Sequence, residues 1–269
     1  MAQVLIPLEP RGFGRTMRQD AWWVQPLLTF AALGTFVVYA TWAAFQGHHY
    51  EWGPYLSPFY SPLLFGAGQH SWFGEWARPV WWPGVIPFSA ALFILWAPGG
   101  FRVTCYYYRG AYYKSFWADP PSCAVGEPRE SYWGEHSLPL VFQNVHRYFL
   151  YLALLFLVVL WSDVWSALWF TEPATGGRAL GIGFGTLVLA ANTTALTGYT
   201  LGCHSFRHLV GGRLDHFSKH PQQLKMYDVA CSFNCRHAAW AWVSLFSVAL
   251  ADLYVRLLSM GVIADWRLI

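Results

Sequence analysis

PLVFQNVHRYFLYLALLFLVVLW, residues 139–161, decides the fold. From Tyr148 through Trp161 no residue carries a charge, and the apolar side chains leave no polar stripe at either the helical or the strand period. A helix that is apolar all round must be surrounded by protein or by lipid. Crossing about 30 Å of hydrocarbon takes roughly 20 such residues, and this stretch has that length. Composition favours lipid: of 269 residues 55% are hydrophobic, 19% aromatic and 12% charged, too few charges to cover a soluble globule of this size.

Four more windows of the same kind lie at Trp22–Phe45, Val80–Trp96, Leu180–Leu201 and Ala239–Met260. The runs are continuous where a membrane β-barrel would show short alternating segments. Met1–Asp20 has no apolar core, so no cleavable signal peptide is expected. The expectation is an all-α integral membrane bundle of five transmembrane helices, one domain over residues 1–269, with a segment 1–20 ahead of the first span.

Charge placement orients this bundle. With the N-terminus inside, the inner segments hold Arg11, Arg15 and Arg18, then Arg102, Arg109, Lys114 and Arg129, then Arg147, and finally Arg207, Arg213, Lys219, Lys225 and Arg236. Arg78, Arg178, Arg256 and Arg267 are left outside. That bias places the N-terminus in the cytoplasm and the chain in the cell inner membrane as a multi-pass protein. The outer loop Gln46–Pro79, rich in Trp, Tyr and Pro, reads as an irregular interfacial cap, and most tryptophans as interfacial belts.

The metal-binding side chains gather at the inner end. Cys105 follows the second span, Cys123 lies in the loop DPPSCAVGEP, and His146 lies about two turns into the third span. Cys203, His204 and His208 end the fourth span, and Cys231, Cys235 and His237 precede or open the fifth. One cysteine in a membrane helix is ordinarily a small apolar filler, and a histidine at a helix end ordinarily a cap. A histidine well inside a span needs a partner, and convergence from four helices weakens the ordinary readings together. Disulfides do not suit a reducing cytoplasm. Zinc sites use short-spaced ligand pairs, which are missing here. Haem b would take two facing histidines, and a two-iron cluster of Rieske type two thiolates and two imidazoles; ligand counts leave both open.

FRVTCYYYRGAYYKSFWADPPSCAVGEP, PLVFQNVHRYFLYLAL, GYTLGCHSFRHLVGGRL and HAAWAWVSLFSVALADLYVRLL resemble the membrane-anchor subunit of a bacterial succinate dehydrogenase, in its actinobacterial five-helix form. The resemblance implies a membrane-embedded Rieske-type [2Fe-2S] cluster in place of haem. It also implies flavoprotein and iron-sulfur partner subunits at the cytoplasmic face, and quinone, with menaquinone expected, as electron acceptor. Such a subunit has no succinate site of its own and serves the tricarboxylic acid cycle and respiratory chain as an electron-transfer subunit of complex II. The basic, aromatic inner surface around Arg109, Tyr112, Tyr113, Lys114 and Arg213 suits a protein partner or anionic lipid, and no nucleic acid is expected.

One residue from each of four helices can meet at a point: Cys105, His146, Cys203 and His237, with Cys123 and His204 as alternates. His208, on one face with His204, is assigned with Arg207 and Tyr106 to the quinone or docking side. In the outer half Asp252 and Arg256 are spaced to pair, with Asp163 a possible partner, as a structural ion pair or a proton route. Asn192, Thr193 and Thr194 read as polar contacts between helices. A cytochrome b-type haem anchor is the alternative within the same class. A transporter or channel is the alternative outside it, against which stands the absence of paired interrupted spans.

Overall fold

The computed structural model of the protein describes residues 12–129, 140–172, 176–212 and 214–269. Arg11, Pro139, Arg213 and the rest of residues 1–11 lie outside the described residues. In chain order the elements are α1 (Val24–Gln46), the hairpin β1 (Glu51–Trp52) and β2 (Tyr55–Leu56), α2 (Ala90–Ile94), α3 (Trp96–Val103) and α4 (Tyr106–Tyr112). There follow α5 (His146–Ser166), the hairpin β3 (Trp169–Thr171) and β4 (Arg178–Leu180), α6 (Phe184–Leu201), α7 (His204–Gly211), α8 (Pro221–Asn234) and α9 (His237–Ser259). The fold is mostly helical, and the two antiparallel hairpins are the departure from an all-α reading.

Among the described residues, three helices are long and apolar enough to cross a membrane: α1, α5 with the 3₁₀ turn before it, and α9. Their faces show why. On α5 Leu150, Ala153, Leu157, Leu160 and Val164 are buried, while Tyr148, Tyr151, Leu155, Val158 and Trp165 are exposed on the other side. On α9 Ala241, Leu245, Val248 and Val255 face inward, and Val243, Phe246 and Leu250 face out. An apolar stripe of that extent on both faces needs lipid around it. α6 packs along both α5 and α9, and α3 along α5. Asn192 of α6 accepts a hydrogen bond from Ser247 of α9 at 3.0 Å, a polar contact of the kind expected between helices.

The second expected span is shifted. Residues 80–89 are irregular, because Pro83 and Pro87 each lack the amide that a helix interior requires and clash with the preceding turn. Helix begins at Ala90 and runs beyond Trp96 to Val103, broken at Leu95, where Pro98 cannot donate to the carbonyl four residues back. The fourth expected span starts late, since Leu180 belongs to β4. His146 opens the regular helix of α5 rather than lying two turns inside one.

The outer loop is a plug as much as a cap. Tyr55, Leu56, Phe59, Tyr60 and Leu63 are buried, most of them packed against Ala43, Ala44, Ala90, Ala91 and Val248. Asp252 accepts from Tyr39 Oη (2.6 Å), Arg256 Nε (2.7 Å) and Ser57 Oγ. Arg256 also donates to the carbonyls of Ala43 (2.9 Å) and His48 (3.1 Å). The expected pair is therefore formed and completely buried, and Asp163 bonds Ser61 instead of joining it.

Candidate functional site

Four helix junctions meet at the opposite end of the bundle. Cys105 is the extended residue that caps α4 and Cys203 the one that caps α7; His146 and His237 are the first residues of α5 and α9. Each junction follows from local sequence. The chain turns from α6 into α7 at Gly202, where an added Cβ would lie 2.8 Å from the Gly198 carbonyl oxygen and 3.0 Å from that of Phe233. Asn234 then donates to the Gly202 carbonyl at 2.7 Å and ties α8 to the junction. The Ser205 and Phe206 amides reach the Cys203 sulfur, but burial and the neighbouring Cys105 outweigh them and hold the thiol above its ordinary value.

The four expected ligands come together as two Cys–His pairs. His146 Nε2 is 3.0 Å from Cys203 Sγ, and His237 Nε2 is 3.5 Å from Cys105 Sγ. Both cysteines are buried, as is His146, and His237 is half-buried. The tautomer of His146 follows from its neighbour. Thr104 Oγ1 gives its one proton to the Gly100 carbonyl (2.7 Å) and so accepts from His146 Nδ1 (2.8 Å). Nε2 is then unprotonated and turns its lone pair toward the sulfur, the form a metal-ligating imidazole takes, with its other nitrogen held by a second group.

Aromatic rings close the site with a repeated pattern. Phe101 stacks on His146 (4.7 Å, 11°) and Tyr199 on His237 (5.0 Å, 14°). Phe101 precedes Cys105 by four residues and Tyr199 precedes Cys203 by four, so each ring covers the histidine that pairs with the other cysteine. Arg102 lies over the Tyr199 ring, 4.8 Å from its centre. The sequence reading missed Phe101, Arg102, Thr104 and Tyr199; the recurrence of aromatic-x-x-x-Cys was the available signal.

The alternates lie elsewhere. Cys123 is exposed in its loop, its carbonyl accepting from Arg18 at 2.9 Å, and His204 packs edge-on against His208 at 4.4 Å. His208 and Arg207 border a hollow of about 150 Å³ closed by Phe217 and Tyr227. Arg207 donates to Asn234 (2.8 Å) and Tyr227 (3.0 Å). Burial, with His208 and Arg207 alongside, pushes His204 below its ordinary value. Tyr106 belongs to a different feature: a groove of about 940 Å³ between α1, α4 and α9, walled by Leu28, Tyr107, Lys114 and Trp242. Tyr107 accepts from Trp242 Nε1 (2.7 Å) and lies edge-on to His237 at 6.5 Å, so one residue separates groove from ligand pair.

Among the described residues, no three His, Cys, Asp or Glu side chains form a group that could hold one metal ion. The donor set nonetheless suits a two-iron group, which asks only two protein ligands of each iron. His237 Nδ1 and the Tyr199 hydroxyl are buried without a hydrogen-bond partner.

No curated protein matches the chain. A solved structure described as the Mycobacterium smegmatis Sdh1 complex in the apo form contains a similar chain, at 43% identity and a TM-score of 0.84, with 98% of this chain and 97% of that one covered. Residues 24–261 match the family described as actinobacterial succinate dehydrogenase subunit SdhC, a match that takes in α1, both Cys–His pairs and all of α9. Family match and likeness extend over nearly the whole bundle, and the chain belongs to the actinobacterial SdhC family, the membrane subunit of succinate dehydrogenase.

Proposed function

We propose that the chain anchors the dehydrogenase as a five-span bundle and carries electrons from its iron-sulfur subunit to membrane quinone through a [2Fe-2S] cluster of Rieske type. Cys105 and Cys203 would serve one iron, His146 and His237 the other. The observation that carries this reading is the meeting of two buried Cys–His pairs, one with its imidazole lone pair already turned to the sulfur. Each pair offers one thiolate and one imidazole. Haem b would use the two imidazoles alone and leave both thiols without a part. When bound, the cluster supplies a one-electron relay inside the membrane.

The chain's own residues do the rest. Cys105 and Cys203 stand at the starts of two helices, Thr104 fixes His146, and Phe101 and Tyr199 exclude water from the imidazoles. The groove bordered by Tyr106 has both apolar and polar walls, is open along α1 and large enough for a quinone ring, and Tyr107 brings its wall to His237. The hollow at His208 and Arg207 is much smaller than the groove and suits the docking side. α1, α2 with α3, α5, α6 and α9 make the five spans, with the N-terminus cytoplasmic by the charge bias.

Iron and acid-labile sulfide analysis with electron paramagnetic resonance of the purified complex tests this reading. Two irons and two sulfides beyond those of the soluble subunits are expected, with a signal lost in His146→Ala. A haem Soret band without that signal would replace the cluster with haem, and a complex with neither group would defeat the redox reading.

A further inference from the structure

Among the described residues the charge of Arg102 has no counter-charge. Its guanidinium donates through Nη1 to Tyr108 Oη (2.7 Å) and the Ala241 carbonyl (3.3 Å), and through Nη2 to Ser244 Oγ (2.9 Å), all neutral groups. Among the described residues no Asp or Glu forms an ion pair with it. A partly buried cation among helices is costly, and three anchors from α4 and α9 hold it in place. The anchors aim it. The guanidinium lies 4.8 Å from the ring centre of Tyr199, and the imidazole of His237 stacks on the same ring, 5.0 Å away. Guanidinium and imidazole thus both lie against Tyr199, beside one of the Cys–His pairs.

We infer that Arg102 is an electrostatic positioning residue that raises the reduction potential of the group held between the Cys–His pairs, its counter-charge arriving as the transferred electron. The inference rests on the reading that these pairs hold a redox group, cluster or haem. Reduction adds one electron, supplied by succinate oxidation through the iron-sulfur subunit, and one unit of negative charge; no bond breaks and no proton is required. A fixed cation against the ring that stacks on His237 favours that added charge. Arg102 is not itself one of the expected ligands, so the effect falls on potential, not on occupancy.

Redox titration of the whole complex, followed by the paramagnetic or haem signal that His146→Ala removes, tests this. In Arg102→Gln the reduction equilibrium falls at least tenfold, a lowering of about 59 mV for one electron, with iron and sulfide content unchanged. Arg102→Lys retains most of the native potential although it loses hydrogen bonds. Ser244→Asp leaves the arginine in place but neutralises it, and lowers the potential in the same direction, which keeps the test open if Arg102→Gln does not assemble. An unmoved potential in Arg102→Gln or Ser244→Asp at full occupancy overturns the inference, as does a shift in Arg102→Lys as large as in Arg102→Gln. A native complex lacking any redox group at this position overturns the underlying reading instead.

Discussion

The bundle buries two polar clusters, one at each end, and they are built on opposite principles. At the outer end Asp252 accepts three hydrogen bonds and Arg256 donates three, with every donor and acceptor coming from α1, the plug or α9 itself. At the inner end thiols face imidazoles, one imidazole nitrogen and one phenol are left without partners, and a cation stands without an anion. A closed cluster needs nothing further and serves the fold. An open one has valences left for something the chain does not itself contain.

Breaking the open cluster should cost function and spare assembly. Cys203→Ala or His146→Ala should abolish electron transfer to quinone, while succinate oxidation with a soluble acceptor persists in the assembled complex. Retained quinone reduction in Cys203→Ala would remove that residue from the ligand set. Breaking the closed cluster should do the reverse. Arg256→Met leaves Asp252 buried without its ion-pair partner, at a cost of about 3–5 kcal/mol. It should sharply lower the thermal inactivation temperature, with the paramagnetic signal unmoved. Asp252→Leu combined with Arg256→Met removes both charges and should recover much of the loss. If Asp252→Asn instead altered the dependence of turnover on membrane potential, the outer cluster would be a proton route after all.

Thr104→Val sharpens the contrast from inside the open cluster. The change keeps the side-chain shape and removes the acceptor that fixes the His146 tautomer. Loss of such a supporting bond typically costs about 10–100-fold in metal affinity. Iron retention during dialysis against a chelator measures it, with the native complex as reference.

The two ends also differ in how far the sequence disclosed them. Apolar runs identified α1 and α9 to within two residues, while α5 starts seven residues and ends five residues after its run. The run at Val80–Trp96 misled, since hydropathy does not register that Pro83 and Pro87 forbid helix or that Pro98 permits one after a kink. Asp252 and Arg256 were legible as a pair from their spacing alone, but Tyr39, Ser57 and the Ala43 carbonyl arrive from distant segments, so completeness of the network was not. For the four expected ligands the reasoning of one per helix end named side chains that the fold brings together as two Cys–His pairs. Arg102 and Tyr199 escaped because one was counted as an inner-face charge and the other as span filler. Stacking across α3, α6 and α9 has no local signature beyond the repeated aromatic four residues ahead of each cysteine.

The smallest effect belongs to α7, which borders the open cluster without joining it. His204 is exposed, and its protonation is disfavoured by desolvation first and by His208 and Arg207 next. A histidine whose folded value lies below its ordinary one binds fewer protons folded than unfolded, so stability rises with pH through that interval. The contribution of neutral His204 is fully present above about pH 6.5 and is lost as pH falls through the lowered value. Because the ring is exposed, solvent screens most of it. His204→Gln should therefore flatten slightly the fall in thermal stability of the complex between about pH 7 and pH 5, and leave the paramagnetic signal unchanged at either end. A loss of that signal in His204→Gln would draw His204 into the open cluster and displace His146 or His237 from it, which the 3.0 Å and 3.5 Å contacts of those two residues argue against.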